Sequence, residues 1–331
     1  MIKIKSEFNL PLTEEMVFIY NNYSTFPFPE EIKIPVGFED NVNLIYTKHN
    51  LKIPIINNNN FKINIENNKI FDNRKIIIGA SGGLDSTYTA LRYKDLGYDI
   101  ILVHFKNLNK NYPKETEHIK NFAKKNNFKL YIIDVKNFGK DYFPDNPFKN
   151  ELILCALTEI GYNLNIKNIM LGATGTYHIE NSKIGINVTD TIENYNTFIS
   201  GLKKYYNNVN LFFLEKNLTK NKMIEYIIKY HKDSLEDIYS CISPNRFVKM
   251  LHNNNESKYN IKLLKDRCGS CYKCCMEYIL LYENGYYSNK EFLNHCYEIL
   301  AKSKNSHSPQ LFNLKIPYEQ RRKNVLGYKP E

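Results

Sequence analysis

The spacing of apolar positions changes near residue 70. Before it, short alternating segments predict strands between turns: Ile2-Lys-Ile-Lys, Glu31-Ile-Lys-Ile-Pro-Val, Asn43-Leu-Ile-Tyr and Phe61-Lys-Ile-Asn-Ile. Asn57 to Asn60 reads as a low-complexity turn or linker. From Lys75 onward, apolar runs typical of buried strands alternate with amphipathic helical stretches. The strands are Lys75–Ala80, Asp99–Phe105, Phe128–Val135, the stretch from Asn168 to Ala173, and Leu211–Leu214. The helices run from Asp85 through Tyr93, over Glu115–Asn126 with Ile119, Phe122 and Ala123 on one face, over Glu151–Asn163, and from a Thr219 N-cap. Such alternation predicts a parallel sheet with right-handed crossovers and ligands beyond the carboxyl ends of its strands. The turn at Ser81, the segment after Phe105 and the turn at Gly172 all fall on that edge.

One strand–turn–helix junction carries chemistry. Lys75-Ile-Ile-Ile-Gly-Ala ends in Ser81-Gly-Gly-Leu-Asp-Ser-Thr87, where a helix begins. Glycines let the backbone approach an oxyanion, helix N–H groups point at it, and the helix dipole favours negative charge. Ser81, Ser86 and Thr87 add hydroxyls. A Walker A loop would need a lysine after the glycines, and none is there. A Gly-x-Gly-x-x-Gly fingerprint centred on Gly83 would place its outer glycines at Ser81 and Ser86.

A second cluster lies near residue 270. Cys268, Cys271 and Cys274 have Cys-x2-Cys-x2-Cys spacing, with Gly269 supplying a tight turn before an apolar helix over Met276–Tyr282. Three thiolates so placed can converge on one metal. Cys241 is the preferred fourth ligand, with Cys296, His252 and His295 as alternatives. Cys275 should point away, and Cys155 reads as core. Zinc is expected, and an iron–sulfur cluster is the rival because it uses the same spacing. The stretch Asn253–Ser257 is Asn-rich and polar, and the tail from Lys302, with Arg321-Arg-Lys323, reads as solvated chain.

Composition refines this reading without redirecting it. The chain of 331 residues has a net charge of +10, which suits phosphate-bearing ligands, although the lysines are scattered. Hydrophobic residues make up 43%, enough for a sizeable core. The first residues lack an apolar secretion segment and no run reaches a membrane span. Seven cysteines in that setting predict a metal site in a reducing, cytoplasmic compartment rather than disulfides. Three regions are expected: 1–70, β-rich; 71–240, nucleotide-binding; 241–331, metal-binding with a tail.

The loop Ser81–Thr87 resembles the Ser-Gly-Gly-x-Asp-Ser loop of the PP-loop ATP pyrophosphatases, which cut ATP between the α- and β-phosphates. With Pro147-Phe-Lys-Asn-Glu, Leu171-Gly-Ala, Leu218-Thr-Lys, Ser240-Cys241 and Cys268-Gly-Ser-Cys-Tyr-Lys-Cys274, the order of pieces resembles the 7-cyano-7-deazaguanine synthases of queuosine biosynthesis, over Lys75 to Cys275. The resemblance implies an α/β parallel-sheet PP-loop domain of the adenine nucleotide alpha hydrolase type, a small zinc-binding C-terminal region and a β-rich N-terminal extension. It implies an ATP-dependent ligase that adenylates a 7-carboxy-7-deazaguanine carboxylate and passes it to ammonia as amide, then nitrile. ATP would lie on Ser81, Gly82, Gly83, Leu84, Asp85, Ser86 and Thr87, with adenine near Val103 and His104 and Gly172 nearby. Asp85 would help hold Mg²⁺, Asp85, Ser86, Lys149 and Lys220 would act in catalysis, and Cys241, Cys268, Cys271 and Cys274 would hold structural Zn²⁺.

The sequence also departs from that family. Lys149 stands where the family has arginine, with Asn150 retained, which keeps charge and loses the bidentate fork. The substrate segment keeps Phe198 and an acid, Asp190 or Glu193. Glu277 stands near the place of an arginine expected after the third cysteine. Lys149, Asn150, Asp190, Glu193 and Phe198 are therefore the candidates for reading a small-molecule carboxylate, and an altered acceptor is expected: a protein or nucleic acid, in a phage-defence or viral setting. A homodimer without membrane association is expected. A PP-loop tRNA-modifying enzyme and a non-catalytic nucleotide-binding module are the competing functions.

Overall fold

The computed structural model describes residues 3–6, 30–48, 52–59, 69–106, 114–136, 149–172, 176–177, 186–187, 197, 199–204, 206, 208–212, 218–241, 245–260 and 267–302. In chain order these form β1 (Lys3–Ser6), β2 (Glu31–Pro35), α1 (Glu39–Lys48), β3 (Ile55–Asn59), β4 (Asp72–Gly79), α2 (Leu84–Asp95), β5 (Asp99–Lys106), α3 (Glu115–Asn126), β6 (Lys129–Lys136), α4 (Lys149–Asn163), β7 (Ile166–Leu171), β8 (Thr176–Tyr177), β9 (Ile186–Asn187), β10 (Asn210–Phe212), α5 (Lys220–Tyr230), a 3₁₀ turn over Lys232–Asp237, α6 (Asn245–Tyr259), α7 (Tyr272–Glu283) and α8 (Lys290–Lys302).

Six strands share one sheet in the order β1-β6-β5-β4-β7-β10. The five inner and C-terminal strands are parallel, and β1 closes one edge antiparallel to β6. The chain moves outward from β4 through β5 to β6, then returns to the other side of β4 as β7. Strand order therefore reverses between β4 and β7, the place where an open α/β sheet leaves a crevice at its carboxyl edge. Register keeps that edge level, because Gly79 pairs with both Val103 and Leu171.

Strand alternation divides the core into two layers. Ile76, Ile78, Ile100, Leu102 and Met170 face α2, α3 and α5. Ile77, Ile101, Val103, Ile169 and Leu171 face α4, α1 and a helical stretch at 199–204. Three layers result, with helices on both faces. A third cluster joins Tyr259, Cys275, Tyr278, Phe292 and Cys296, so α7 and α8 pack on each other beside the domain.

Two local expectations are corrected. Asn43-Leu-Ile-Tyr lies in helix α1, not a strand. Phe38, Val42 and Tyr46 recur at helical spacing and are buried, so one face of the helix enters the core. Asn57–Asn59 is not a linker: it belongs to β3, parallel to β2, where the Asn57 amide donates to Glu31 Oε1. The polar stretch Asn253–Ser257 lies within α6, where Asn255 is buried and donates to the Cys268 carbonyl at 2.8 Å and to Ser270 Oγ at 2.7 Å. Phe61–Ile65 and the tail beyond Lys302 fall outside the described residues.

Candidate functional site

The crevice at the strand reversal is built from the turn between β4 and α2. Gly82 adopts φ 73°, a left-handed conformation that glycine enters without a Cβ penalty. Gly83 is the N-cap of α2, and no side chain caps the helix, so its first-turn N–H groups are left for a ligand. The loop braces itself: Gly83 N donates to Ser81 Oγ at 3.3 Å, and Ser86 Oγ donates to the Gly83 carbonyl at 3.1 Å. Thr87 Oγ1 is buried with no hydrogen-bond partner among the described residues.

Neighbouring elements hold the loop from three sides. At the end of β7, a Cβ on Gly172 would lie 3.1 Å from Ser86 Cα and 3.2 Å from Ser86 N, so glycine permits the backbone to close there. From α5, whose Thr219 N-cap accepts from Lys222 N at 3.2 Å, the Lys220 ammonium pairs with Asp85 Oδ1. From beyond the 3₁₀ turn, Tyr239 N donates to the Gly82 carbonyl at 2.7 Å. The predicted loop residues, Gly172 and Lys220 are thus brought together at the head of α2.

Val103 and His104, the residues expected near adenine, lie towards the carboxyl end of β5. Both are buried inside the sheet, and the Val103 carbonyl accepts from Ala80 N at 2.8 Å. His104 Nδ1 donates to the Ala80 carbonyl at 2.9 Å, and Nε2 accepts from Thr116 Oγ1 at 2.8 Å. Burial brings its pKa down to about 4 against the pull of the Ala80 carbonyl, with Lys106 and Lys120 lowering it further. His104 is therefore a neutral strut tying the start of the loop to α3. Lys149 and Asn150 open α4, with side chains outside what is described, and Asp190, Glu193 and Phe198 lie outside the described residues.

The second centre lies behind the loop. The sulfurs of Cys241, Cys268, Cys271 and Cys274 all lie within 4.8 Å of one another, with Cys268 and Cys274 Sγ 3.9 Å apart. Sulfurs tetrahedrally placed at ~2.3 Å from one ion sit about 3.8 Å apart, whereas a disulfide requires about 2.05 Å. Gly269, at φ 63°, turns the chain so that Ser270 N and Cys271 N donate to Cys268 Sγ at 3.3 and 3.2 Å. Cys271 caps α7, and Cys274 sits in its first turn. The helix begins earlier than the expected Met276, which places Cys275 on the opposite face with Cys296. Contact with Cys241 and Cys268 pushes the Cys271 and Cys274 thiols well up. For Cys241, contact with Cys268 raises the pKa, contacts with Cys271 and Cys274 lower it, and the net is about 7. Four thiolates can share this space only with a cation among them, so the donor set fits a closed four-thiolate metal centre.

Sequence reasoning missed the connection between the two centres. Ser240 Oγ donates to Glu277 Oε1 at 2.7 Å, and Glu277 Oε2 pairs with Arg267 Nη1. The guanidinium approaches from the residue before Cys268, not from a position after Cys274. Burial raises the Glu277 pKa, while Arg267 and Ser240 act against it. No periodicity signals this chain, since its members lie 27 and 10 residues apart.

A separate cavity of about 560 Å³ opens at the amino edge, between Lys75, Lys94, Asp99, Asn126, Lys129 and Ile166. The carboxyl ends of α2 and α3 converge there, so its lysines answer helix dipoles. Among the described residues no helix is long and apolar enough to cross a membrane.

Comparison with known proteins agrees with this geometry. The family described as "Queuosine biosynthesis protein QueC" matches residues 75–143, which span the loop and the first two crossovers. The 7-cyano-7-deazaguanine synthase of Sulfurimonas denitrificans is 32% identical over 105 residues, 32% of this chain and 42% of that protein. The Nautilia profundicola protein of the same name is 32% identical over 106 residues, 31% of this chain and 42% of its own length. The tRNA-specific 2-thiouridylase MnmA of a Nitratiruptor species is 25% identical over 210 residues, 55% of this chain and 59% of that protein. The chain thus spans about half the length of the curated relatives it matches. An uncapped Ser-Gly-Gly-Leu-Asp-Ser turn at the sheet's reversal point, together with these likenesses, supports the PP-loop superfamily with a QueC-like relationship.

Proposed function

We propose that the chain is an ATP-dependent ligase that activates a 7-carboxy-7-deazaguanine-like carboxylate. The carboxylate oxygen attacks the α-phosphorus of ATP, the bond to the β-phosphate oxygen breaks, and pyrophosphate leaves. Ammonia or another amine then attacks the acyl carbon, AMP leaves, and an amide forms; with ammonia, the primary amide oxygen attacks the α-phosphorus of a second ATP, pyrophosphate leaves, and loss of AMP with that oxygen and of the two N–H protons gives the nitrile. The observation that carries this reading is the loop: an uncapped helix start behind Ser81–Gly83, with Asp85 and Lys220 beside it and no Walker lysine. First-turn N–H groups of α2 would hold the departing pyrophosphate, and Lys220 would balance its charge. Asp85 would hold Mg²⁺, which supplies charge neutralisation to the leaving group. Cys241, Cys268, Cys271 and Cys274 would hold Zn²⁺, which supplies folding free energy at a closed site. Lys149, Asn150, Asp190, Glu193 and Phe198 are proposed to read the carboxylate substrate; an acid pairs well with the ring N–H and amino group of a guanine-like edge.

The likeness to a 2-thiouridylase over 210 residues favours a second reading, activation of a tRNA base. Sulfur transfer needs a cysteine that reaches the activated carbon. Among the described residues, four cysteine side chains gather in the cluster, and Cys275 and Cys296 are buried in the helical core. Incubation with ATP and either 7-carboxy-7-deazaguanine plus ammonia or tRNA plus a sulfide donor, read by mass spectrometry, separates the two. Amide or nitrile with AMP supports the ligase, modified tRNA supports the second reading, and AMP from neither removes both.

A further inference from the structure

We infer that Ser240, Glu277 and Arg267 are positioning residues that tether the pyrophosphate loop to the cysteine centre and set its affinity for phosphate. The inference rests on the loop reading above. Each member stands beside a cluster cysteine: Ser240 precedes Cys241, Arg267 precedes Cys268, and Glu277 follows Cys274 by one helical turn. The other end of the tether is the loop. A Cβ on Gly83 would lie 3.5 Å from Ser240 Oγ, and the adjacent Tyr239 N holds the carbonyl of Gly82 at 2.7 Å. Ser240 Oγ gives its proton to Glu277 Oε1 at 2.7 Å, so its orientation is fixed by the carboxylate, whose other oxygen is fixed by Arg267.

The tether is a poor device for stability alone. Arg267 is 3% and Glu277 6% exposed, and Arg267 Nε and Nη2 are buried without a hydrogen-bond partner among the described residues. Buried pairs of this kind are often matched or exceeded in stability by apolar side chains of similar volume. What an apolar replacement cannot reproduce is the directional hold on residues 239 and 240, and through them on Gly82 and Gly83. Those two glycines determine where the first N–H groups of α2 point. Misplacement of a binding group by about 1 Å costs on the order of 100-fold.

The test uses the full chain, with inorganic pyrophosphate and ATP as probes. Calorimetric Kd, metal content per chain and thermal melting are measured for wild type, Ser240→Ala, Ser240→Thr and Glu277→Gln. Ser240→Ala and Glu277→Gln are expected to keep the wild-type metal content and to bind pyrophosphate about 10-fold more weakly. Ser240→Thr, which restores the hydroxyl, is expected to recover most of the affinity. Under turnover the loss should fall on KM for ATP, with kcat little changed. If wild type binds pyrophosphate and both variants bind it equally well, the tether is refuted while the loop reading stands. Loss of metal with loss of affinity in both variants would show a merely structural role and also refute it. A wild type that binds neither probe would remove the loop reading itself.

Discussion

The pyrophosphate loop and the cysteine turn use the same backbone device for different ends. Each places a glycine in the left-handed region, Gly82 at φ 73° and Gly269 at φ 63°, just before a helix whose N-terminus no side chain caps. In the cysteine turn the N–H groups just ahead of the helix are spent: Ser270 and Cys271 donate to the chain's own Cys268 sulfur. In the pyrophosphate loop a single weak bond from Gly83 to Ser81 Oγ is made, and the first-turn donors are left over. One turn therefore offers its own thiolates to a possible metal, while the other has backbone donors that an anion from outside would satisfy. What separates them is the residue offered at the turn: a thiolate in one, small hydroxyls and glycine in the other.

The comparison breaks most severely at the closed turn. Cys268→Ser should abolish stoichiometric metal binding and destabilise the chain by more than about 5 kcal/mol, because metal binding is folding free energy there. Metal analysis and melting check this. Zinc and a colourless protein are expected; brown colour with iron would replace zinc by a cluster. At the open turn, Asp85→Ala should leave melting nearly unchanged and lower AMP formation by on the order of 1000-fold, through loss of the carboxylate proposed to hold Mg²⁺.

A smaller effect comes from the strut under the open turn. His104 stays neutral in the folded chain down to about pH 4, whereas in the unfolded chain it takes a proton near pH 6.5. Between those values the unfolded state binds more protons, so stability falls as pH falls through this window and is unaffected above it. The loss should reach about 3 kcal/mol by pH 4. Denaturant titrations should show this slope in wild type and not in His104→Gln; equal slopes would mean that the ring is not held neutral. The smallest change is at Gly172. An added Cβ would meet the Ser86 backbone at 3.1 Å, so Gly172→Ala should push the loop slightly and raise KM for ATP by about 5- to 10-fold.

Much of this architecture was legible in the sequence, for definite reasons. The strands and helices from Lys75 to Leu171 follow uninterrupted apolar periods, and the helix over Glu115–Asn126 forms with those bounds. The four cysteines were legible because thiols with no other use cluster at ligand spacing. Burial of polar residues was not. Asn255 falls in an Asn-rich polar stretch, yet it serves the cysteine turn from inside a helix, and the Asn57 segment becomes a strand because β2 pairs with it. Helix α1 was visible in the four-residue spacing of Phe38, Val42 and Tyr46, but the alternating Asn43–Tyr46 segment competed with it. The Ser240–Glu277–Arg267 chain leaves no sequence trace because its contacts are made in three dimensions only.

The central claim is that the open turn holds the pyrophosphate of an ATP cleaved between its α- and β-phosphates. The most direct measurement supplies ATP labelled at the γ-phosphorus together with the carboxylate substrate and follows the label. The label is expected to leave as pyrophosphate, in equal amount with AMP and only when the carboxylate is present. Label released as orthophosphate together with ADP would contradict it.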